Sequence, residues 1–159
     1  MKGLQQFNDA MERLEKLLVM VGLVVLTATV FLAAVLRFFD IDMSFSTDLA
    51  QLAFAWTSMI GASYAVRSRS HIGMTFLREK FSLKIQYGIQ VVCGVLILIF
   101  LVLLVIYGLD LVFTNWDRKY NTLGITYSVA TASCPVGALL MISGTLHHLF
   151  GDIKRFKEA

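Results

Sequence analysis

Apolar positions along this chain run together instead of alternating with polar ones. Four stretches hold no Asp, Glu, Lys or Arg: Leu17 to Leu36, Leu49 to Val66, Ile85 to Leu109 and Tyr120 to Gly151. Each can cross a hydrocarbon core about 30 Å thick, which takes about 20 helical residues. Where no water can pair with backbone groups, only helices or a closed barrel span, and unbroken runs lack the two-residue alternation of barrel strands. The pattern predicts an all-α integral membrane protein with four transmembrane helices over approximately 17–36, 49–66, 85–109 and 127–149, forming a single domain across residues 1–159. The first run follows a mixed-charge, helix-like segment and shows no small-x-small cleavage site before Arg37, so it reads as a retained anchor.

Between the runs the periodicity changes. Leu4, Phe7, Met11, Leu14 and Leu18 recur at helical spacing with charged residues on the other faces, and Met74, Leu77, Phe81 and Ile85 repeat the pattern. Ile153 and Phe156 extend the last run in the same way. These segments predict amphipathic helices that either lie in the membrane interface or dock on a partner's cytoplasmic surface.

Composition agrees with a bilayer as solvent: 57% of the 159 residues are hydrophobic and only one is proline. The net charge of +3 does not point to nucleic acid, because the basic residues sit in short segments between apolar runs. Their distribution sets the orientation instead. Residues 1–16, 67–84 and 152–159 hold eleven Lys and Arg; the other two segments hold three, Arg37, Arg118 and Lys119. By the positive-inside rule, both termini and the 67–84 segment are cytoplasmic.

Candidate chemistry is sparse. Cys93 and Cys134 lie inside apolar runs without metal-ligand spacing, and no nucleophile constellation or phosphate loop is present, so no enzyme, metal or cofactor is expected. His71, His147 and His148 would sit near the cytoplasmic edge, not facing each other across a bundle as haem ligands do. Pro135 should free the carbonyl of Thr131 and bend the last helix. Small residues at Gly61/Ala65 and Ser133/Gly137 permit close helix approach, within the chain or against another subunit. Trp56 lies deep in the second run, where its indole N–H needs a partner. Phe54, Trp56, Gly61, Ala62 and Ala65 are therefore the candidates for a protein-facing surface. Outside the membrane, Asp48 and Gln51 form a possible capping pair for helix 2, Trp116 and Tyr120 flank a loop at headgroup level, and Asp117, Arg118 and Lys119 keep that loop wet.

The segment RFFDIDMSFSTDLAQLAFAWTSMIGASYAVRSRSHI, from Arg37 to Ile72, resembles the DctQ-like small membrane subunit of tripartite ATP-independent periplasmic (TRAP) transporters. Arg37 ending helix 1, Asp48, Trp56, Gly61-Ala62, Ala65, Arg67 and His71-Ile72 carry the likeness in order and spacing; Arg37, Arg67 and His71 are motif residues without an assigned role. The resemblance implies a multi-pass protein of the bacterial inner membrane that packs, among membrane lipid, beside a large transport subunit. That subunit would import an organic acid, such as sialic acid or a dicarboxylate, on a sodium gradient after delivery by a periplasmic substrate-binding protein. Phe54, Trp56, Gly61, Ala62 and Ala65 are then the candidates for the interface with the large subunit, and Asp40, Asp42, Asp48, Asp117, Arg118 and Lys119 those for touching the periplasmic protein. Two other classes compete: a self-sufficient multidrug-type transporter, which wants an intramembrane carboxylate that the four runs lack, and a haem-binding membrane anchor.

Overall fold

A computed structural model describes residues 2–41, 44–68 and 83–158; Asp42, His71 and the Met74 to Phe81 amphipathic pattern lie outside the described residues. The elements are α1 (Lys2–Phe38), α2 (Ser44–Arg67), α3 (Leu83–Thr114), the short α4 (Ser128–Thr131) and α5 (Ser133–Glu158). Four helical segments are long and apolar enough to cross a membrane: Asn8–Phe38, Ser44–Arg67, Gly88–Thr114 and Ser128–Gly151.

The N-terminal amphipathic segment is not a separate element. It is the first part of the continuous 37-residue α1, which rises about 55 Å and so exceeds the hydrocarbon thickness by several turns. Of its predicted apolar stripe, Leu14 and Leu18 face outward and are about half exposed, while Glu15 turns inward.

Local chemistry explains where the helices stop. At the end of α1, Ile41 N–H donates to Leu36 O and Asp40 N–H to Arg37 O, with Asp40 in the left-handed region at φ 56°. This is the six-to-one and five-to-two pairing of a Schellman cap, with Asp in the place that glycine usually takes. At the end of α3, the Thr114 hydroxyl donates to Asp110 O and the Asn115 side-chain amide to Leu111 O, which also accepts the Asn115 backbone N–H, so polar side chains fold back onto the last turn. Pro135 divides the last span: it cannot donate to the Thr131 carbonyl, and the regular helix is interrupted for one residue at Ala132, which keeps right-handed helical angles, before it resumes at Ser133.

The four long helices form a row in the order α1, α2, α5, α3, with packing running between neighbours in that order. Contacts fix the registers. Antiparallel α1 and α2 meet at Glu15 and Ser63, and at Val19 and Gly61; parallel α2 and α5 meet at Met59 and Gly137; antiparallel α3 and α5 meet at Gly94 and Leu149, and at Gly108 and Pro135. A Cβ added at Gly137 would stand 2.8 Å from Met59 Cβ, so glycine is what lets α2 and α5 approach. Leu101, Ala138 and Met141 form the buried centre where α3, α5 and α2 converge, with Met59, Ala62 and Val66 packed against them. Elsewhere large apolar side chains point outward, among them Val24, Phe31, Phe113 and Phe150, each exposed by about two-thirds. In water such a surface would drive aggregation; in hydrocarbon it is the ordinary exterior.

Candidate functional site

The polar chemistry of the fold gathers at the two ends of α2. At the end nearest the chain termini, Arg67 is 3% exposed and Glu15, on α1, is 1% exposed. The guanidinium grips the carboxylate with two atoms, Nε to Oε2 at 3.1 Å and Nη2 to Oε1 at 3.2 Å. Its remaining donors reach Asn8 Oδ1 at 2.6 Å, Ser143 Oγ at 2.9 Å and Leu140 O at 3.4 Å. The Ser63 hydroxyl donates to Glu15 Oε1 at 2.8 Å, and the His148 ring nitrogen donates to the Arg67 carbonyl at 2.8 Å. One residue of α2 is thereby tied to α1 on one side and α5 on the other.

Two charges removed from water cost several kcal/mol each unless they pair with good geometry and their remaining hydrogen-bonding sites are also filled. Here the pairing is two-pronged, and Ser63, Asn8, Ser143 and Leu140 take up further sites on the two groups. Asn8, Glu15 and Gly22 recur every seven residues on the face of α1 turned to α2, and Gly144 of α5 lies beside the Arg67 backbone. Because the charges are spent on each other, the cluster has the chemistry of a lock between helices and not of an open ligand site. The sequence reading places Arg67 at the start of a loop and does not single out Glu15. The seven-residue spacing of Asn8 and Glu15, on a face that adjoins the Leu14/Leu18 stripe, is the signal that could have found the pair.

At the other end of α2, Asp48 takes a different part from the expected cap. The helix begins at Ser44, one turn earlier, so Asp48 stands inside it and Asp48–Gln51 is not its capping pair. The carboxylate Oδ2 instead accepts from Thr122 N–H at 3.0 Å and from the Thr122 hydroxyl at 2.5 Å. Thr122 belongs to a small hairpin in which Tyr120 N–H donates to Ile125 O, Tyr127 N–H donates to Arg118 O, and Gly124 takes the left-handed conformation that the turn needs. Arg118 lies 4.8 Å from the centre of the Tyr127 ring. Tyr120 is buried beneath the hairpin with no hydrogen-bond partner for its hydroxyl. Burial pushes its phenol pKa up, Tyr127 and Asp48 add to that, and Arg118 opposes it.

The other candidates are placed as follows. Trp56 donates its indole N–H to Val129 O at 3.1 Å, so the partner it required comes from α4 of the same chain. Gly61 faces Val19 of α1, Ala62 packs on the central core, and Ala65 is half-buried. Of the α2 set, Phe54 alone is largely exposed, at 61%. Arg37, Asp40, Asp117, Arg118 and Lys119 are all exposed at the hairpin end. No group of three or more His, Cys, Asp or Glu able to hold a metal occurs among the described residues.

Against this geometry stand the comparisons with known proteins. Residues 17–155 match the model of a family described as tripartite ATP-independent periplasmic transporters, DctQ component. The chain is similar to the sialic acid TRAP transporter small permease protein SiaQ of Vibrio cholerae serotype O1, with 27% identity over 109 residues that cover 69% of this chain and 63% of that protein. It is also similar to a putative TRAP transporter small permease protein of Haemophilus influenzae, at 22% identity over 160 residues covering 100% of this chain and 93% of the relative.

Proposed function

From the premise that the chain belongs to the family of DctQ components of tripartite ATP-independent periplasmic transporters, and so to the bacterial inner membrane, we propose that it is a fixed scaffold subunit. It packs beside a large membrane subunit that carries an organic acid inward on a sodium gradient, after a periplasmic binding protein has delivered that acid. Sialic acid, named for the Vibrio relative, is one such cargo, and dicarboxylates are another. The family is one of transport subunits and not of enzymes. Both termini and the Arg67 end of the row face the cytoplasm, and the Thr122 hairpin faces the periplasm, as the eleven-to-three split of Lys and Arg favours.

The observation that carries the scaffold reading is the saturated pair. A carrier of anions or a proton-coupled exporter needs an ionisable group that meets its cargo within the membrane. Glu15 and Arg67, held inside the helix row, meet each other and their neighbours. Recognition of the acid and coupling to the ion then fall to the large subunit, while the Asp48-clamped hairpin offers the binding protein a surface.

The test is an affinity pull-down of the chain, tagged after Ala159 and solubilised in mild detergent from its native membrane, with partners identified by mass spectrometry. Recovery of a much larger, many-helix membrane protein is the expected result. Recovery of the chain alone, together with transport by the purified chain in liposomes, would replace the scaffold with a self-sufficient carrier. A reporter fused after Ala159 should be active only on the cytoplasmic side.

A further inference from the structure

The sequence leaves Arg37 without a role, and the structure surrounds it with a groove. Between α1 and α2 at the hairpin end lies a hollow of about 500 Å3 lined by Arg37, Phe38, Ser44, Ser46 and Thr47. It shares Ala33, Ser46 and Thr47 with a second hollow of about 500 Å3, lined further on by Leu26, Val30, Ala50 and Phe54. The two make one trough with a cationic, hydroxyl-bearing mouth and an apolar floor.

We propose that this trough binds one phospholipid, with the phosphate on Arg37 and the acyl chains laid along the α1–α2 floor. Three observations carry the assignment. The first is length. From Arg37 to Leu26 the trough follows α1 for eleven residues, about 16 Å of helical rise, which matches one leaflet, half of a hydrocarbon core about 30 Å thick. The second is free charge. Unlike Arg67, whose guanidinium is bonded to Glu15, Asn8 and Ser143 inside the protein, the exposed Arg37 side chain makes no hydrogen bond or ion pair among the described residues, and its planar fork suits a phosphate. The third is shape. Ala33 and Ala50 leave open what larger side chains would fill, so the groove continues from the boundary into the membrane without a step. A free inorganic phosphate would use the mouth and leave the apolar floor empty; a lipid uses both. The inference rests on the chain spanning a membrane, not on which large subunit it joins, so failure of the pull-down above leaves it standing.

The experiment is native mass spectrometry of the full chain in detergent, titrated with phosphatidylethanolamine, alongside thermal unfolding with and without that lipid. A one-to-one adduct that raises the unfolding temperature is expected. Arg37→Ala, a change at an exposed site, should weaken the adduct at least tenfold and remove the thermal shift, and Arg37→Lys should lose less. Ala33→Phe, which plugs the floor and leaves the cation in place, should also weaken it. Equal binding by Arg37→Ala and the unchanged chain would mean that the lipids are a non-specific annulus and would overturn the proposal. Displacement of the lipid by millimolar inorganic phosphate, or phosphate binding unaffected by Ala33→Phe, would overturn it in favour of a free-anion site.

Discussion

Replacing Arg67 with alanine strips five side-chain hydrogen bonds and leaves the Glu15 carboxylate without its counter-charge at a position that is 1% exposed. At about 0.6 kcal/mol for a hydrogen bond between transmembrane helices, the five come to about 3 kcal/mol. An independent route gives a similar figure, since removing one partner of a buried ion pair costs about 3–5 kcal/mol. Arg67→Ala should therefore shift the unfolding equilibrium by more than a hundredfold, about 3 kcal/mol at 1.4 kcal/mol per factor of ten. Glu15→Ala should cost a comparable amount, because it strands the guanidinium instead. The double variant buries no charge at all and should lose clearly less than the sum of the two, with a coupling of at least about 1.5 kcal/mol. Arg67→Lys should not rescue, since an ammonium cannot span Glu15, Asn8 and Ser143 at once. The assay is reversible unfolding in mixed micelles, run as a double-mutant cycle. Single variants within about 0.5 kcal/mol of the unchanged chain, or strictly additive losses, would refute the lock.

Three further changes probe other parts of the molecule. Tyr120→Phe removes a buried hydroxyl that has no partner and should stabilise the protein by about 1 kcal/mol, read as a raised unfolding temperature. Because the folded phenol pKa is raised, the unfolded chain releases this proton first as pH climbs; stability present below about 10 should decline above it, and Tyr120→Phe should abolish that decline. Asp48→Ala should free the hairpin, a loss of about 1 kcal/mol seen as roughly fivefold faster hydrogen exchange at Thr122 with the helices unaffected. Gly137→Leu forces α2 from α5 at Met59 and should cost about 2–3 kcal/mol in the same unfolding assay.

The apolar runs made the four helices legible, because a bilayer demands length and apolarity and little else. The break in the last span could be read from Pro135 for an equally local reason. The order of the row could not: helices bathed in hydrocarbon are apolar on all faces, so periodicity does not say which side meets a neighbour. Glu15 and Arg67 escaped because each sits at the edge of an apolar run, where a charge ordinarily means the start of water. Asp48 was misread for a related reason. Ser44, Ser46 and Thr47 carry hydroxyls that suit a loop, yet they stand in the first turn of α2, which moves Asp48 inward and gives it to Thr122. Trp56 was rightly said to need a partner, but a backbone carbonyl 73 residues away is not visible along the chain.

The placement of α3 outside α5 bears on the order in which the molecule is assembled during synthesis. As the chain emerges, α1 and α2 can close their hairpin at once, and Arg67 finds Glu15 and Asn8 before the second half exists. The next helix to appear, α3, has no such welcome. The side of α2 left open by that hairpin belongs to a segment not yet made, and α3 takes its own packing from that same segment. It must wait in the bilayer for α5, whose arrival seats both at once: Ser143 completes the guanidinium's set of bonds while Leu101 closes against Ala138 and Met141. The second half of the protein therefore has no seat on the first until its final helix is made.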